Sequence, residues 1–132
     1  MAEKKESRAS VLLIDDEEDF LFTMKTWLES RGFSVETASS GRAGIEKLKQ
    51  RRPDIVFVDM KMPVMDGVET LAAIRGFDEK IPVIVITAFG LNTRLQDAER
   101  YGVTGFFRKS QDLNQAAELI EQVINKVKET KN

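Results

Sequence analysis

The sequence contains no cysteine and no histidine. Disulfide bonds, thiolate or imidazole metal sites, and catalysis by cysteine or histidine are therefore excluded. Carboxylates, hydroxyls and amines remain as the groups that could carry chemistry. Long apolar runs are also missing near the N-terminus, where only residues 11–14 are continuously apolar. That run is far shorter than a signal-peptide core or a membrane span, so we expect a cytoplasmic protein without membrane contact.

An excess of charge of one sign is absent as well. Twenty basic and 22 acidic residues give a net charge of −2, so nothing in the total charge favours nucleic acid or anionic lipid. The length of 132 residues, 42% of them hydrophobic, suits one domain with a single core. We expect a flexible N-terminal tail at 1–9, one domain at 10–128 and a frayed C-terminus at 129–132.

Short runs rich in β-branched and aromatic residues predict five strands. They cover residues 11–14, 33–37, 54–58, 81–87 and 103–108. The third and fourth runs are almost continuously apolar, which is typical of parallel strands covered on both faces. The second run alternates between polar and apolar residues, which indicates an edge strand.

Helical spacing of apolar residues fills the gaps between these strands. The last helix has the clearest apolar stripe, and Ser110 is placed to cap its start. The segment from Leu91 to Tyr101 has the fewest apolar groups, so we expect it to be the least firmly anchored helix. Five strand-helix units predict an α/β sandwich with a parallel sheet and right-handed crossovers.

Polar residues end four of the predicted strands. Asp15 and Asp16 follow the first strand and Asp59 the third, Thr87 is the last residue of the fourth, and Lys109 follows the fifth. Ligands of open parallel sheets bind beyond the carboxyl ends of the strands, so these side chains are expected to converge.

Three neighbouring carboxylates would repel one another unless a cation joined them. Ligands that are all oxygen favour a hard ion such as Mg²⁺, which keeps several waters and so leaves positions for phosphate. Phosphoryl transfer needs an acceptor oxygen, neutralising charge and hydrogen-bond donors. Asp59 can be the acceptor, Lys109 the second cation and Thr87 the donor.

Each of these residues also has a purely structural interpretation. A single aspartate at a strand end often forms a turn or caps a helix. The acidic run from Asp15 to Asp19 could be a first helical turn favoured by the helix dipole. Thr87 could be an ordinary strand residue, and Lys109 a solvated surface amine.

Four segments resemble the receiver domains of two-component response regulators. They are Val11-Leu-Leu-Ile-Asp-Asp16, Ile55-Val-Phe-Val-Asp-Met-Lys-Met-Pro-Val-Met-Asp-Gly67, Val83-Ile-Val-Ile-Thr-Ala88 and Gly105-Phe-Phe-Arg-Lys109. The resemblance runs from about residue 10 to residue 127. It implies a flavodoxin-like, doubly wound α/β fold with five parallel strands in the order 2-1-3-4-5.

The same resemblance implies roles for the residues at the strand ends. Asp59 would be the phosphoacceptor, and Asp15, Asp16, Asp59 and the backbone carbonyl of Lys61 would hold Mg²⁺. Thr87 and Lys109 would bind the phosphoryl oxygens. The phosphoryl donor would be a phosphohistidine of a sensor histidine kinase or a phosphotransfer domain.

Switching is also implied by the resemblance. Thr87 would move toward the phosphoryl group while Phe106 turns inward, changing the surface of the fourth helix, fifth strand and fifth helix. An output domain or effector protein would bind that surface, with Leu91, Leu95 and Tyr101 as candidate contacts. Leu95 also has the spacing of a core residue.

The expected assembly is a monomer or weak homodimer, either standing alone or excised from a longer regulator. Direct binding of nucleic acid is not expected, because no helix-turn-helix or basic recognition helix remains outside the five units.

Two features set this sequence apart within the family it resembles. Ser110 stands where many members have a proline, commonly after a cis bond, so we predict a trans Lys109–Ser110 bond and a shifted loop. Lys61 and Phe89 lie two residues beyond Asp59 and Thr87, on the rim of the predicted site. We expect them to slow the water that would hydrolyse an aspartyl phosphate.

Two other classes of function are less consistent with the sequence. A small Mg²⁺-dependent phosphohydrolase with an aspartyl-phosphate intermediate is the alternative, but the triplet Asp59-Met60-Lys61 lacks the second aspartate of such phosphatases. A nucleotide-binding module is less well supported, since no Gly-x-Gly-x-x-Gly or Gly-Lys-Ser/Thr loop is present.

Overall fold

The computed structural model describes residues 8–88 and 93–131, which form five strands and five helices in strict alternation. The strands are β1 (Ser10–Ile14), β2 (Ser34–Ala38), β3 (Ile55–Asp59), β4 (Val83–Thr87) and β5 (Gly105–Arg108). The helices are α1 (Glu18–Ser30), α2 (Gly41–Gln50), α3 (Gly67–Phe77), α4 (Thr93–Glu99) and α5 (Leu113–Lys131). All strand pairs are parallel and the order is β2-β1-β3-β4-β5, which confirms the predicted fold.

Two apolar cores lie on opposite faces of the sheet because successive strand residues point to opposite sides. Phe57 of β3 packs in the core shared with α1 and α5, whereas its neighbour Val58 packs in the core shared with α2, α3 and α4. Every residue of β3 and β4 is buried. The prediction from the continuous apolar runs is therefore confirmed: helices cover both faces of these strands.

The edge position predicted for the second strand is confirmed. β2 ends the strand order, and it is exposed at Ser34 and Glu36 but buried at Val35. The expected burial of the fourth helix's inner face is also found, because Leu95 and Ala98 both lie in the core.

Helices α2 and α3 begin with side-chain caps. Asp66 and Glu69 form a reciprocal capping box at α3, with both hydrogen bonds at 2.9 Å, and the hydroxyl of Ser40 accepts from the Ala43 N–H at α2. The prediction that Ser110 caps the last helix was wrong. Helix α5 begins only at Leu113, and the carboxylate of Asp112 accepts a hydrogen bond from the Asn114 N–H at 2.9 Å.

Ser110 instead lies in a turn that the Gln111 N–H closes onto the Arg108 carbonyl at 2.9 Å. No cis peptide bond occurs among the described residues, so the predicted trans Lys109–Ser110 bond is confirmed.

The ends of the domain differ from the expected limits. Ala9 is buried, and Arg8 lies over the ring of Phe33 at 4.9 Å and pairs with Glu121. Residues 8 and 9 thus pack against the domain, while 1–7 of the predicted tail lie outside the described residues. At the other end α5 continues to Lys131. No helix in the described ranges is both long and apolar enough to cross a membrane.

The loop between β3 and α3 contains a strained residue. Val64 has φ of 70°, is fully exposed, and sits in a three-residue turn in which the Met65 N–H donates to the Pro63 carbonyl at 2.7 Å. A positive φ is unfavourable for a β-branched side chain, and such turns are rare. The exposed side chain brings no compensating burial.

We therefore expect Val64→Gly to stabilise the domain. The strain of about 1–3 kcal/mol that would be removed exceeds the cost of about 0.5–1 kcal/mol for the added freedom of the unfolded chain. Urea unfolding at fixed pH should show a higher midpoint with an unchanged slope. A lower midpoint would show that the turn carries no net strain.

Candidate functional site

Three carboxylates meet at the carboxyl edge of the sheet. Asp15 and Asp16 follow β1 and Asp59 ends β3, and one oxygen from each lies within 4.8 Å of the others. β1 and β3 are hydrogen-bonded neighbours, which is why residues 44 positions apart along the chain are brought together. The convergence expected from the sequence is present.

Asp15 is the deepest of the three. Its side chain is fully buried, and Oδ1 accepts a hydrogen bond from the Glu17 N–H at 2.9 Å. Oδ2 is also buried and accepts no hydrogen bond from the described residues. Its close partner is the ammonium of Lys109, with which it forms an ion pair at 2.9 Å. A buried carboxylate oxygen with only this contact can accept a further donor or cation.

Burial and mutual repulsion raise the pKa values of two carboxylates in this cluster. Burial, followed by the charge of Asp15, raises the pKa of Asp59 to about 7 despite the opposing charge of Lys109. Burial also raises the pKa of Asp15. A cation joining these carboxylates would favour their ionised forms.

Lys109 supplies the positive charge of the site. Its N–H donates to the carbonyl of Thr87 at 2.9 Å, so the turn after β5 is tied to the end of β4. Its Nζ lies 2.9 Å from Asp15 Oδ2 and 3.8 Å from Asp59 Oδ2, and hydrogen-bonds Glu17 Oε1. Burial alone would lower the pKa of Lys109, but the contacts with Glu17 and Asp15 and the charge of Asp59 raise it overall.

A cavity of about 270 Å³ opens above Asp59. Its lining residues are Asp16, Glu17, Asp59, Met60, Lys61, Thr87, Ala88 and Lys109. Thr87 is buried at the end of β4, the strand next to β3. The cavity therefore places a hydroxyl and an ammonium beside the carboxylate of Asp59.

Two residues of this region were not singled out from the sequence. The sequence indicates Glu17 only as part of an acidic first turn, yet its side chain contacts Lys109. Gly67 packs against the backbone of the site: its N–H donates to the Met60 carbonyl at 3.0 Å, and a Cβ would lie 2.4 Å from the Asp59 carbonyl oxygen. The Asp66-Gly67 pair at the start of α3 is the available signal for Gly67.

The remaining residues predicted from the sequence differ in how exposed they are. Phe106 is 39% exposed on β5, whereas its neighbour Phe107 is buried in the core. Leu95 is buried, which confirms its interpretation as a core residue, and Tyr101 is exposed. Phe89 and Leu91 lie outside the described residues.

The donor set fits a magnesium ion. Three carboxylates converge, no histidine or cysteine exists to favour a softer metal, and Asp15 Oδ2 lacks a hydrogen bond. Mg²⁺ binds through few carboxylates and otherwise retains water, which suits a site open to a cavity.

These features define a class of protein: a doubly wound α/β domain with an acidic cluster, a threonine and a lysine at the carboxyl edge of its sheet. Residues 11–121 match the family model described as the response regulator receiver domain. The chain belongs to this family, as the resemblance implied. Receiver domains are signalling switches of two-component systems, and phosphorylation and Mg²⁺ binding are general to them.

Several relatives agree with this membership. The chain is 28% identical to sporulation initiation phosphotransferase F of Bacillus subtilis over 86% of its own length and 92% of that protein. It is 34% identical to the transcriptional regulatory protein GlrR of Escherichia coli, over 88% of this chain but 26% of GlrR. The chain thus spans most of the first relative and about a quarter of the second.

Solved structures show the same fold. A response regulator receiver domain protein from Clostridium thermocellum superposes with a TM-score of 0.84 at 32% identity, covering 91% of this chain and 97% of that one. The Vibrio cholerae chemotaxis protein CheY4 gives a TM-score of 0.82 at 28% identity, covering 87% and 98%.

Proposed function

We propose that this chain accepts a phosphoryl group on Asp59 and is switched by it. The observation that carries the proposal is the position of the Asp59 carboxylate, which lines a cavity, lies within 4.8 Å of carboxylate oxygens of Asp15 and Asp16, and is 3.8 Å from the ammonium of Lys109. An acceptor oxygen, negative groups that can hold a cation and a fixed positive charge are the parts that phosphoryl transfer needs.

The transfer itself is a displacement at phosphorus. One ionised oxygen of Asp59 forms the new P–O bond while the donor's P–N bond, in a phosphohistidine, or P–O bond, in acetyl phosphate, breaks. The electron pair of the broken bond leaves with the donor group. Since the chain contains no histidine, a phosphohistidine donor belongs to another domain or protein, such as a sensor histidine kinase or a phosphotransfer domain.

Asp15, Asp16, Asp59 and the backbone carbonyl of Lys61 would hold Mg²⁺. When bound, the ion neutralises charge on the transferring oxygens and favours ionised carboxylates. Thr87 would donate its hydroxyl to one phosphoryl oxygen and Lys109 would pair with another. Both residues line the cavity, which supports these roles.

The signal would pass from Thr87 to Phe106. The two residues lie on adjacent, directly paired strands, and Phe106 is partly exposed, so its ring is not fixed in the core. A hydroxyl that moves toward the phosphoryl group would favour the inward position and alter the surface of α4, β5 and α5. An output domain or effector protein would bind that surface.

Incubation with Mg²⁺ and acetyl phosphate tests the proposal, with intact mass as the readout. We expect a gain of one phosphoryl mass that needs Mg²⁺ and is absent in Asp59→Asn. Asp19→Asn, the same chemical change at an exposed position on α1, is the matched control and should retain the gain. A gain of the same size in Asp59→Asn would refute Asp59 as the acceptor.

The rim residues give a separate prediction about lifetime. Lys61 is exposed and lines the cavity, so its stem restricts the approach of water to the phosphoryl group. We expect Lys61→Ala to shorten the half-life of the phosphorylated form at least about twofold, a barrier change of about 0.4 kcal/mol. We propose the same role for Phe89.

Decay of the phosphorylated mass after removal of the donor measures this half-life. Lys80→Ala removes an exposed lysine that does not line the cavity and serves as the control. Equal half-lives in Lys61→Ala and Lys80→Ala would rule out a role for Lys61 in limiting hydrolysis.

A further inference from the structure

The ammonium of Lys109 is engaged by acidic groups other than the proposed phosphoacceptor. Its Nζ hydrogen-bonds Glu17 Oε1 and lies 2.9 Å from Asp15 Oδ2, but it is 3.8 Å from Asp59 Oδ2. The ring of Phe20 lies 5.0 Å from Nζ, which adds a cation–π contact on the same side. Lys109 is therefore drawn toward α1 and the segment before it.

The two acidic partners differ in how easily they can release the lysine. Asp15 is fully buried, and its Oδ1 accepts a hydrogen bond from the Glu17 N–H. The side chain of Glu17 is 61% exposed. The Glu17 carboxylate can leave Lys109 by rotating into water, whereas the buried Asp15 carboxylate cannot reach water.

Glu17 also has no structural duty that would explain its contact with Lys109. It occupies the N-cap position of α1, where a side chain commonly accepts a backbone N–H, but it makes no such bond. Its carboxylate reaches the lysine of the site instead, across 92 residues of sequence.

We propose that Glu17 is a competing ion-pair partner of Lys109, which holds the ammonium away from Asp59 in the unphosphorylated chain and must release it when a phosphoryl group arrives. Glu17 is then a positioning residue that acts through Lys109. Its contact is present before phosphorylation and is lost afterwards, so it favours the unphosphorylated state. This inference rests on the proposed function of Asp59.

The first test asks whether Glu17 and Lys109 are coupled, and it needs no phosphorylation. Unfolding by urea without Mg²⁺ is compared for wild type, Glu17→Gln, Lys109→Gln and the double variant. We expect a coupling of about two- to fivefold in the unfolding constant, the range of a partly exposed ion pair. Glu18→Gln, which removes the same charge from the adjacent exposed residue, should show no coupling to Lys109→Gln.

The second test asks whether the contact opposes phosphorylation. With saturating Mg²⁺ and acetyl phosphate, Glu17→Gln should gain phosphoryl mass about two- to fivefold faster than Glu18→Gln, because both lose one negative charge near the site and only one releases Lys109.

Each outcome decides a different point. No coupling in the unfolding cycle would overturn the proposal, and so would coupling accompanied by equal or slower phosphorylation of Glu17→Gln. A wild-type chain that takes up no phosphoryl group would overturn the proposed function of Asp59, and the role of Glu17 with it.

Discussion

Gly67→Ala is expected to destabilise the domain by about 2 kcal/mol or more. Gly67 begins α3 directly against the end of β3, where an added Cβ would lie 2.4 Å from the Asp59 carbonyl oxygen and 2.7 Å from the Met60 Cα. Overpacking against side chains typically costs about 1–3 kcal/mol, and here the obstructing atoms belong to the backbone, which cannot rotate away. Either α3 or the end of β3 must shift.

Gly76→Ala is the matched control because it makes the same change in the same helix. An added Cβ at Gly76 would meet nothing within 4 Å. Alanine favours helix over glycine by about 0.8–1.0 kcal/mol, so this variant should be slightly more stable than wild type. Urea unfolding of both variants measures the difference, and equal stabilities would show that the close approach of Gly67 carries no cost.

The shift of β3 gives Gly67→Ala a second consequence. Asp59 shares the displaced peptide, so its carboxylate should move relative to Lys109 and the acidic cluster. Phosphorylation by acetyl phosphate should slow in Gly67→Ala and stay unchanged in Gly76→Ala, under conditions where both are fully folded.

Asp59→Asn is expected to stabilise the Mg²⁺-free domain above pH 7, even as it abolishes phosphorylation. Burial and the charge of Asp15 raise the pKa of Asp59 to about 7 in the folded state, compared with about 3.9 in the unfolded chain. The ionised side chain is therefore less favourable in the folded state. Asparagine retains the shape and removes the charge.

The sign of the pH dependence follows from the two pKa values of Asp59. Below about pH 4 the group is protonated in both states and adds nothing. Between about pH 4 and 7 the unfolded state ionises while the folded state keeps its proton, so this group lowers stability as pH rises. Above pH 7 the destabilisation is constant, on the order of 2–4 kcal/mol.

Urea unfolding at pH 4.5 and pH 8 without Mg²⁺ tests this expectation. The stability of Asp59→Asn relative to wild type should increase from the lower to the higher pH, and Mg²⁺ should reduce the difference at pH 8 by stabilising wild type more. Asp19→Asn should show no such increase. If Asp59→Asn were less stable than wild type at pH 8, the ionised Asp59 carboxylate would not be destabilising in the folded state.

The parts of the site that sequence reasoning could locate are those fixed by topology. Asp59 and Thr87 end strands, Asp15 and Lys109 directly follow strands, and parallel strands bring their carboxyl ends to one edge. Apolar runs also identified which strands are buried on both faces. Local composition alone was enough for these predictions because strand type and strand ends are encoded locally.

Details that depend on the path of a side chain or a turn were not accessible in this way. The contact between Glu17 and Lys109 depends on the direction of one rotatable side chain across two elements. The start of α5 depends on a turn that places Asp112, rather than Ser110, directly before the first residue of the helix. Either residue type can cap a helix, so propensity could not choose between them.

Val64 illustrates a different limit. Nothing in its residue type indicates a positive φ, which arises because the chain must turn sharply between the fixed end of β3 and the capped start of α3. Tertiary constraints here override local preference.

Chemical trapping of the modified residue tests the central claim most directly. Borohydride reduces an aspartyl phosphate to homoserine, so the chain is phosphorylated with Mg²⁺ and acetyl phosphate, reduced, digested and sequenced by mass spectrometry. Phosphorylation of Asp59 predicts homoserine at position 59 and at no other aspartate. Homoserine at Asp15 or Asp16, or a phosphorylated chain without homoserine at 59, would contradict it.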